Sequence, residues 1–163
     1  MLNRRLVLCG ISGVTLLVAW KWLEGRKAAG GSGAFEIEKT DEEWRRILTK
    51  GQYEVLRLHQ TERPGSSSLD HEARAGIYAC AGCDLPVFAS RTKFDSRTGW
   101  PSFYEPLANA IGTAVDRSLL FARTEVHCRR CGGHLGHVFE DGPSPTGLRY
   151  CINGVALKFL PET

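Results

Sequence analysis

Residues 118–139 read SLLFARTEVHCRRCGGHLGHVF. Across 119–126 one parity holds Leu120, Ala122, Thr124 and Val126, and the other holds Arg123 and Glu125. A period of two marks a strand with one face buried and one face wet. The stretch therefore predicts a β-strand over 119–126 that leads into a Cys-x-x-Cys pair. Beyond that pair Gly136 argues against a helix, so His137 and Phe139 share one strand face. The runs IYA, PVF, RYCIN and VALKF are equally short, and turn-rich stretches such as DGPSPTG separate them. The expected body is mainly β and mostly antiparallel.

Upstream, KTDEEWRRIL carries Thr40 and, three residues on, Glu43, which is a capping box. Trp44, Ile47 and Leu48 then fall on one helical face, so one short N-terminal helix is expected. Residues 62–71, ERPGSSSLDH, read as loop from their Pro, Gly and Ser content.

The 163 residues suit one folded domain, at 35–163, behind a leader. Arg4 and Arg5 precede an apolar run over 6–20, and Trp20 and Trp22 close it. The run is short for a membrane span, which needs ~20 residues, and suits a signal core. Residues 1–23 are thus expected to be a signal or membrane-anchor segment, with attachment through 6–23. The paired arginines resemble a twin-arginine export signal, and organelle targeting is the alternative. An exported or membrane-anchored protein follows, periplasmic if bacterial. Residues 24–34, EGRKAAGGSGA, read as a flexible linker. The net charge is +3, but residues 1–33 carry five cations against one carboxylate. The body has no basic excess, which argues against nucleic acid as a partner.

Cys80-Ala-Gly-Cys83 and Cys128-Arg-Arg-Cys131 lie 44 residues apart. Two such pairs suit a tetrahedral zinc ion, which takes four thiolates. A redox pair would want a βαβ setting that this chain lacks, and two disulfides or an iron site are rarer readings. One structural zinc, clipping distant chain segments together, is the expected cofactor.

Cys151 stands apart from those pairs. If RYCIN is a strand, Arg149, Cys151 and Asn153 share one face. The guanidinium would favour the reactive thiolate, although a lone cysteine is more often a small buried hydrophobe. His134 and His137 are candidate proton donors; packing roles or zinc ligation are the bland alternatives. Trp100 and Phe103 in GWPSF offer rings for an apolar pocket or for the core.

Taken together, KTDEEWRRIL, CAGC, GWPSFYEP, CRRCGGHLGHVFEDGP, PTGLRYCIN and ALKF resemble the B-class peptide methionine sulfoxide reductases, from about Glu38 to Phe159. The resemblance implies two small antiparallel sheets around a barrel-like core, and reduction of the R epimer of methionine sulfoxide in proteins. It implies Cys151 as nucleophile, Arg149 holding its charge, and His137 and His134 positioning and protonating the departing oxygen. It further implies that Asn153 orients this network and that Trp100 and Phe139 receive the substrate's S-methyl group. Many relatives have a resolving cysteine two positions before the pocket tryptophan; here that residue is Thr98. A one-cysteine cycle is expected, with an external thiol, thioredoxin-like or small, as reductant. A monomer is expected. The rival expectation is a non-catalytic, zinc-stabilised module that binds peptides or proteins.

Overall fold

The computed structural model describes residues 35–163, so the expected leader and linker lie outside the described residues. Thr40 caps α1 (Asp41–Ile47): its hydroxyl accepts from the Glu43 N–H, and the Glu43 carboxylate accepts from the Thr40 N–H at 2.7 Å. The chain then breaks at Leu48, which is extended, and Thr49 opens a second capping box with Gln52. That box starts α2 (Lys50–Leu58), so the lead-in is two helices rather than one. The T-x-x-Q spacing in TKGQ is its signal. The break also corrects the expected face: Trp44 and Leu48 are buried, while Ile47 ends its helix and is 56% exposed. His59 closes α2 in the left-handed conformation.

Nine strands follow. They are β1 (Gly76–Cys80), β2 (Pro86–Ala89), β3 (Lys93–Phe94), β4 (Ser102–Phe103) and β5 (Ile111–Asp116), then β6 (Arg123–Cys128), β7 (His134–Phe139), β8 (Arg149–Ile152) and β9 (Leu157–Pro161). They pair antiparallel as a three-stranded sheet, β2-β1-β9, and a six-stranded sheet, β3-β4-β8-β7-β6-β5. The mainly-β class and the two sheets match the sequence reading; the strand orders are those of open sheets. The core joins the sheets: Phe88 of β2 stacks on Phe103 of β4 at 4.4 Å, and Tyr78 of β1 meets Phe103 edge-on at 4.9 Å. Each such pair adds about 0.5–1.5 kcal/mol beyond the area it buries. Phe103 is thus core, not pocket wall.

The strand expected at 119–126 is shifted to Arg123–Cys128. Its β5 pairing ends at Asp116↔Arg123, and the Asp116 carboxylate accepts from the Ser118 N–H at 2.8 Å, turning the chain. Leu119, Leu120 and Phe121 are left exposed on the hairpin connection. Alternation reports a period; the turn fixes where pairing begins.

Between β6 and β7 the register shifts: Val126 faces Gly136 but His127 faces His134. Leu135 is therefore the extra residue of a β-bulge. In a regular strand His134 and His137 would point to opposite faces; the bulge turns them to one side, with ring centroids 5.3 Å apart.

Candidate active site

Strand register assembles the site. Cys151 lies directly opposite His137 on one side and Ser102 on the other, and His137 lies opposite Glu125. Directly opposed residues share a face, with Cβ atoms about 4.5–5.5 Å apart. Thiol, imidazole and carboxylate thus stand in one row across β8, β7 and β6. Gly136 lets β8 come this close, because a Cβ there would collide with the Cys151 carbonyl oxygen. Over the row opens a cavity of about 120 Å³. Cys151, His137, Trp100, Phe139, Asn153, Arg123, Thr61 and Gly136 line it. A larger cleft, about 540 Å³, runs along the loop from Gln60 to Ser68, but neither Cys151 nor a histidine lines it. The chemistry marks the smaller cavity as the site.

Cys151 is half-buried. Burial is the strongest influence on its thiol and pushes its pKa up; Arg149 and a contact from the Thr98 hydroxyl, 4.0 Å away, pull the other way. Arg149 thus favours the thiolate, as expected from its place on the strand, but burial outweighs it. Much of the guanidinium's charge is spent on Asp141, which accepts two hydrogen bonds from it at 2.8 and 2.7 Å. Arg149 also stacks over Phe139, 4.5 Å from the ring centre. Because the thiol is the favoured form, alkylation of Cys151 by iodoacetamide should keep rising with pH past the ordinary thiol value of 9.0. Asp141→Asn should move that profile to lower pH, since the Asp141 charge opposes thiolate formation. A profile already flat above about pH 7 would contradict this reading of the thiol.

The two histidines differ. His137 lines the cavity, and its Nε2 lies 2.8 Å from Asp116 Oδ2. Hydrogen bonds from Ser118, then from His137 and Arg123, hold the Asp116 carboxyl well below its usual range. As an anion Asp116 only accepts, so the His137 Nε2 carries the hydrogen and the other ring nitrogen is free to act. His134 is not on the cavity wall. It is 2% exposed, packs behind His137, and sets Nδ1 2.7 Å from Glu125 Oε1. Burial lowers its pKa, outweighing the Glu125 bond, which raises it. Its Nε2 is buried with no hydrogen-bond partner.

Asn153 follows β8. Its backbone N–H and its side-chain amide both donate to the Leu135 carbonyl, at 2.9 and 3.0 Å. Its side-chain oxygen accepts from the Glu62 N–H at 2.9 Å. Asn153 therefore fastens the bulge that turns the histidines. The Trp100 indole donates to the Glu62 carbonyl at 3.1 Å, which sets its ring at the cavity wall.

Asp116, Arg123, Glu125, Asp141, Thr61 and Glu62 belong to this site but escaped the sequence reading. Arg123 and Glu125 were visible as the polar parity of a half-buried strand; that parity faces the site. Asp116, Asp141 and Glu62 sit at turns or loops, where spacing says nothing about the partner.

The four knuckle sulfurs cluster at the ends of β1 and β6 and their turns. All lie within 4.8 Å of one another, with Cys80–Cys131 at 3.8 Å and Cys83–Cys128 at 3.4 Å. These separations exclude disulfides, whose sulfurs lie ~2.05 Å apart, and approach the ~3.8 Å edge of a thiolate tetrahedron with bonds of ~2.3 Å. The set can hold a metal ion, and it ties the three-stranded sheet to the six-stranded one.

Residues 48–161 match the model of the SelR domain. The chain is 56% identical over 128 residues to the peptide methionine sulfoxide reductase MsrB of Pseudomonas entomophila, covering 78% of this chain and 98% of that one. Two more proteins of that description, from Leifsonia xyli and Methanosarcina barkeri, are 54% identical over 134 residues and 53% over 127. These alignments cover 81% and 77% of this chain, and 96% and 89% of the relatives. The thiol–imidazole row and the four-sulfur cluster thus stand in a chain that belongs to the SelR-domain family of peptide methionine sulfoxide reductases.

Proposed function

We propose that this enzyme reduces the R epimer of methionine sulfoxide within proteins, with Cys151 as its nucleophile. The observation that carries the proposal is the opposed pair Cys151 and His137 beneath a small cavity walled by Trp100 and Phe139. At about 120 Å³ the cavity admits the end of a side chain and no folded partner. Its two rings suit an S-methyl group, while the sulfoxide oxygen turns to the polar wall.

The Cys151 sulfur attacks the sulfoxide sulfur, the S–O bond gives way, and the oxygen passes to Cys151 as a sulfenic acid. The substrate leaves as a thioether. A sulfoxide oxygen leaves only when protonated, so the free nitrogen of His137 takes the Cys151 thiol proton and passes it to that oxygen while Asp116 steadies the ring. Arg149 stabilises the sulfur's charge as it forms. Two external thiols, or one dithiol such as a thioredoxin, then return the sulfenic acid to thiol with release of water and a disulfide. Thr98 occupies the contact that a resolving cysteine would need, and the other cysteines among the described residues are the four of the cluster. Zinc is the ion that four thiolates suit; fully coordinated, it contributes rigidity and takes no part in the reaction.

The reading extends to the leader and the assembly: a monomer, exported or membrane-anchored through residues 6–23, and periplasmic if bacterial. Among the described residues no helix is long and apolar enough to cross a membrane.

The test is turnover of peptides carrying R- or S-methionine sulfoxide with thioredoxin or a small thiol. Only the R peptide should yield methionine. After one turnover without reductant, mass spectrometry should find one added oxygen at Cys151. Equal turnover of both epimers, or a disulfide from Cys151 to a knuckle cysteine, would overturn the proposal.

A further inference from the structure

We propose that His59, Glu125 and His134 form a second metal site, which binds a divalent transition ion such as Ni²⁺ or excess Zn²⁺ and thereby inhibits the enzyme. His59 Nδ1 lies 3.0 Å and His134 Nδ1 2.7 Å from the same carboxylate oxygen, Glu125 Oε1. All three donor atoms fall within 4.8 Å of one another. Two imidazoles and a carboxylate around one ion at ~2.0–2.2 Å would set their donor atoms about 3.3 Å apart. The ion therefore replaces two shared hydrogens with small outward shifts of three side chains.

Further features favour a cation here. Among the described residues, Glu125 forms ion pairs with these two imidazoles and with no lysine or arginine. Burial holds His134 toward its neutral, metal-binding form. His59 caps the C-terminus of the nine-residue α2, where the helix dipole is negative. Its left-handed backbone accompanies a ring placed 5.1 Å from that of His134. The His59 side chain is 59% exposed, so the ion has a way in and water can fill the remaining positions. Imidazole and carboxylate donors suit Zn²⁺ and Ni²⁺, whereas the soft four-thiolate cluster is a separate site.

Occupancy claims His134 Nδ1 and the carboxylate that holds its ring. His134 packs on His137, so the ion stiffens the imidazole that must move a proton. This inhibitory half rests on the function proposed above; the binding half does not.

Zinc-loaded Cys151→Ser protein, which lacks the competing free thiol, should bind one further equivalent of Ni²⁺ in calorimetry. His59→Asn, which keeps a residue suited to the left-handed cap, should weaken that binding at least tenfold, as should Glu125→Gln. No extra equivalent, or unchanged affinity in His59→Asn, would overturn the site. In single-turnover assays without thiol, Ni²⁺ should block methionine formation by the unmutated enzyme. His59→Asn should match it without metal yet need at least tenfold more Ni²⁺ for the same block. Binding without inhibition would overturn the link from His134 to the reaction and leave Cys151 chemistry untouched.

Discussion

Cys151→Ser is expected to lower turnover of R-methionine sulfoxide peptides by at least about 10⁴-fold, the scale of losing a covalent nucleophile. The hydroxyl is close to isosteric, so the row across β8, β7 and β6 and the Trp100–Phe139 wall should survive. What is lost is a sulfur that can ionise beside Arg149 and accept an oxygen. A serine in the same place binds substrate but forms no sulfenic acid, so peptide affinity should change little while kcat collapses. The measurement is methionine released per minute, with peptide binding as the control. Turnover that is equal in both proteins would leave the non-catalytic binding module as the surviving reading.

Stripping the metal is expected to unfold the domain or lower its melting temperature by on the order of 20 °C. Zinc held by four cysteines is worth ~10–16 kcal/mol in small zinc-binding peptides, against a net stability of ~5–15 kcal/mol for a typical domain. The cluster cannot be a decoration on such a balance. Cys80 ends the strand that pairs with β9, and Cys128 ends the strand that pairs with β5. Without the ion, four buried or half-buried thiols are left crowded together where two sheets meet. Circular dichroism melts with and without a strong chelator, beside zinc analysis expected to give one ion per chain, check the claim. Cys128→Ser should reproduce the chelated melt. A melt indifferent to chelation, or a zinc content near zero, would sink it.

How far the sequence carried these conclusions depends on the kind of information each residue holds. The β class was legible because alternation is local, and the shared face of His137 and Phe139 followed from period two. The cysteine cluster was legible because a tetrahedral ion needs paired donors at short spacing. The second helix was written in the four-residue signal from Thr49 to Gln52, but the apolar face drawn through Ile47 and Leu48 hid the break between them. Nothing local could pair His137 with Asp116 or Arg149 with Asp141, since register and turns decide those meetings. The same is true of the Cys151 thiol. Its neighbour Arg149 was visible, while the burial and the Asp141 carboxylate that reverse the guanidinium's influence were not.

The bulge at Leu135 has a consequence for tolerance to change. Strands forgive many substitutions, yet they do not forgive miscounting: one residue gained or lost rotates everything beyond it to the other side. Here the miscount is built in, and Asn153 pins it by holding the Leu135 carbonyl with two donors. A side chain at the cavity wall thus keeps the tally between the strand of the sulfur and the strand of the imidazoles. Substitutions at Asn153 would act as frame errors in three dimensions, scattering groups that are themselves intact.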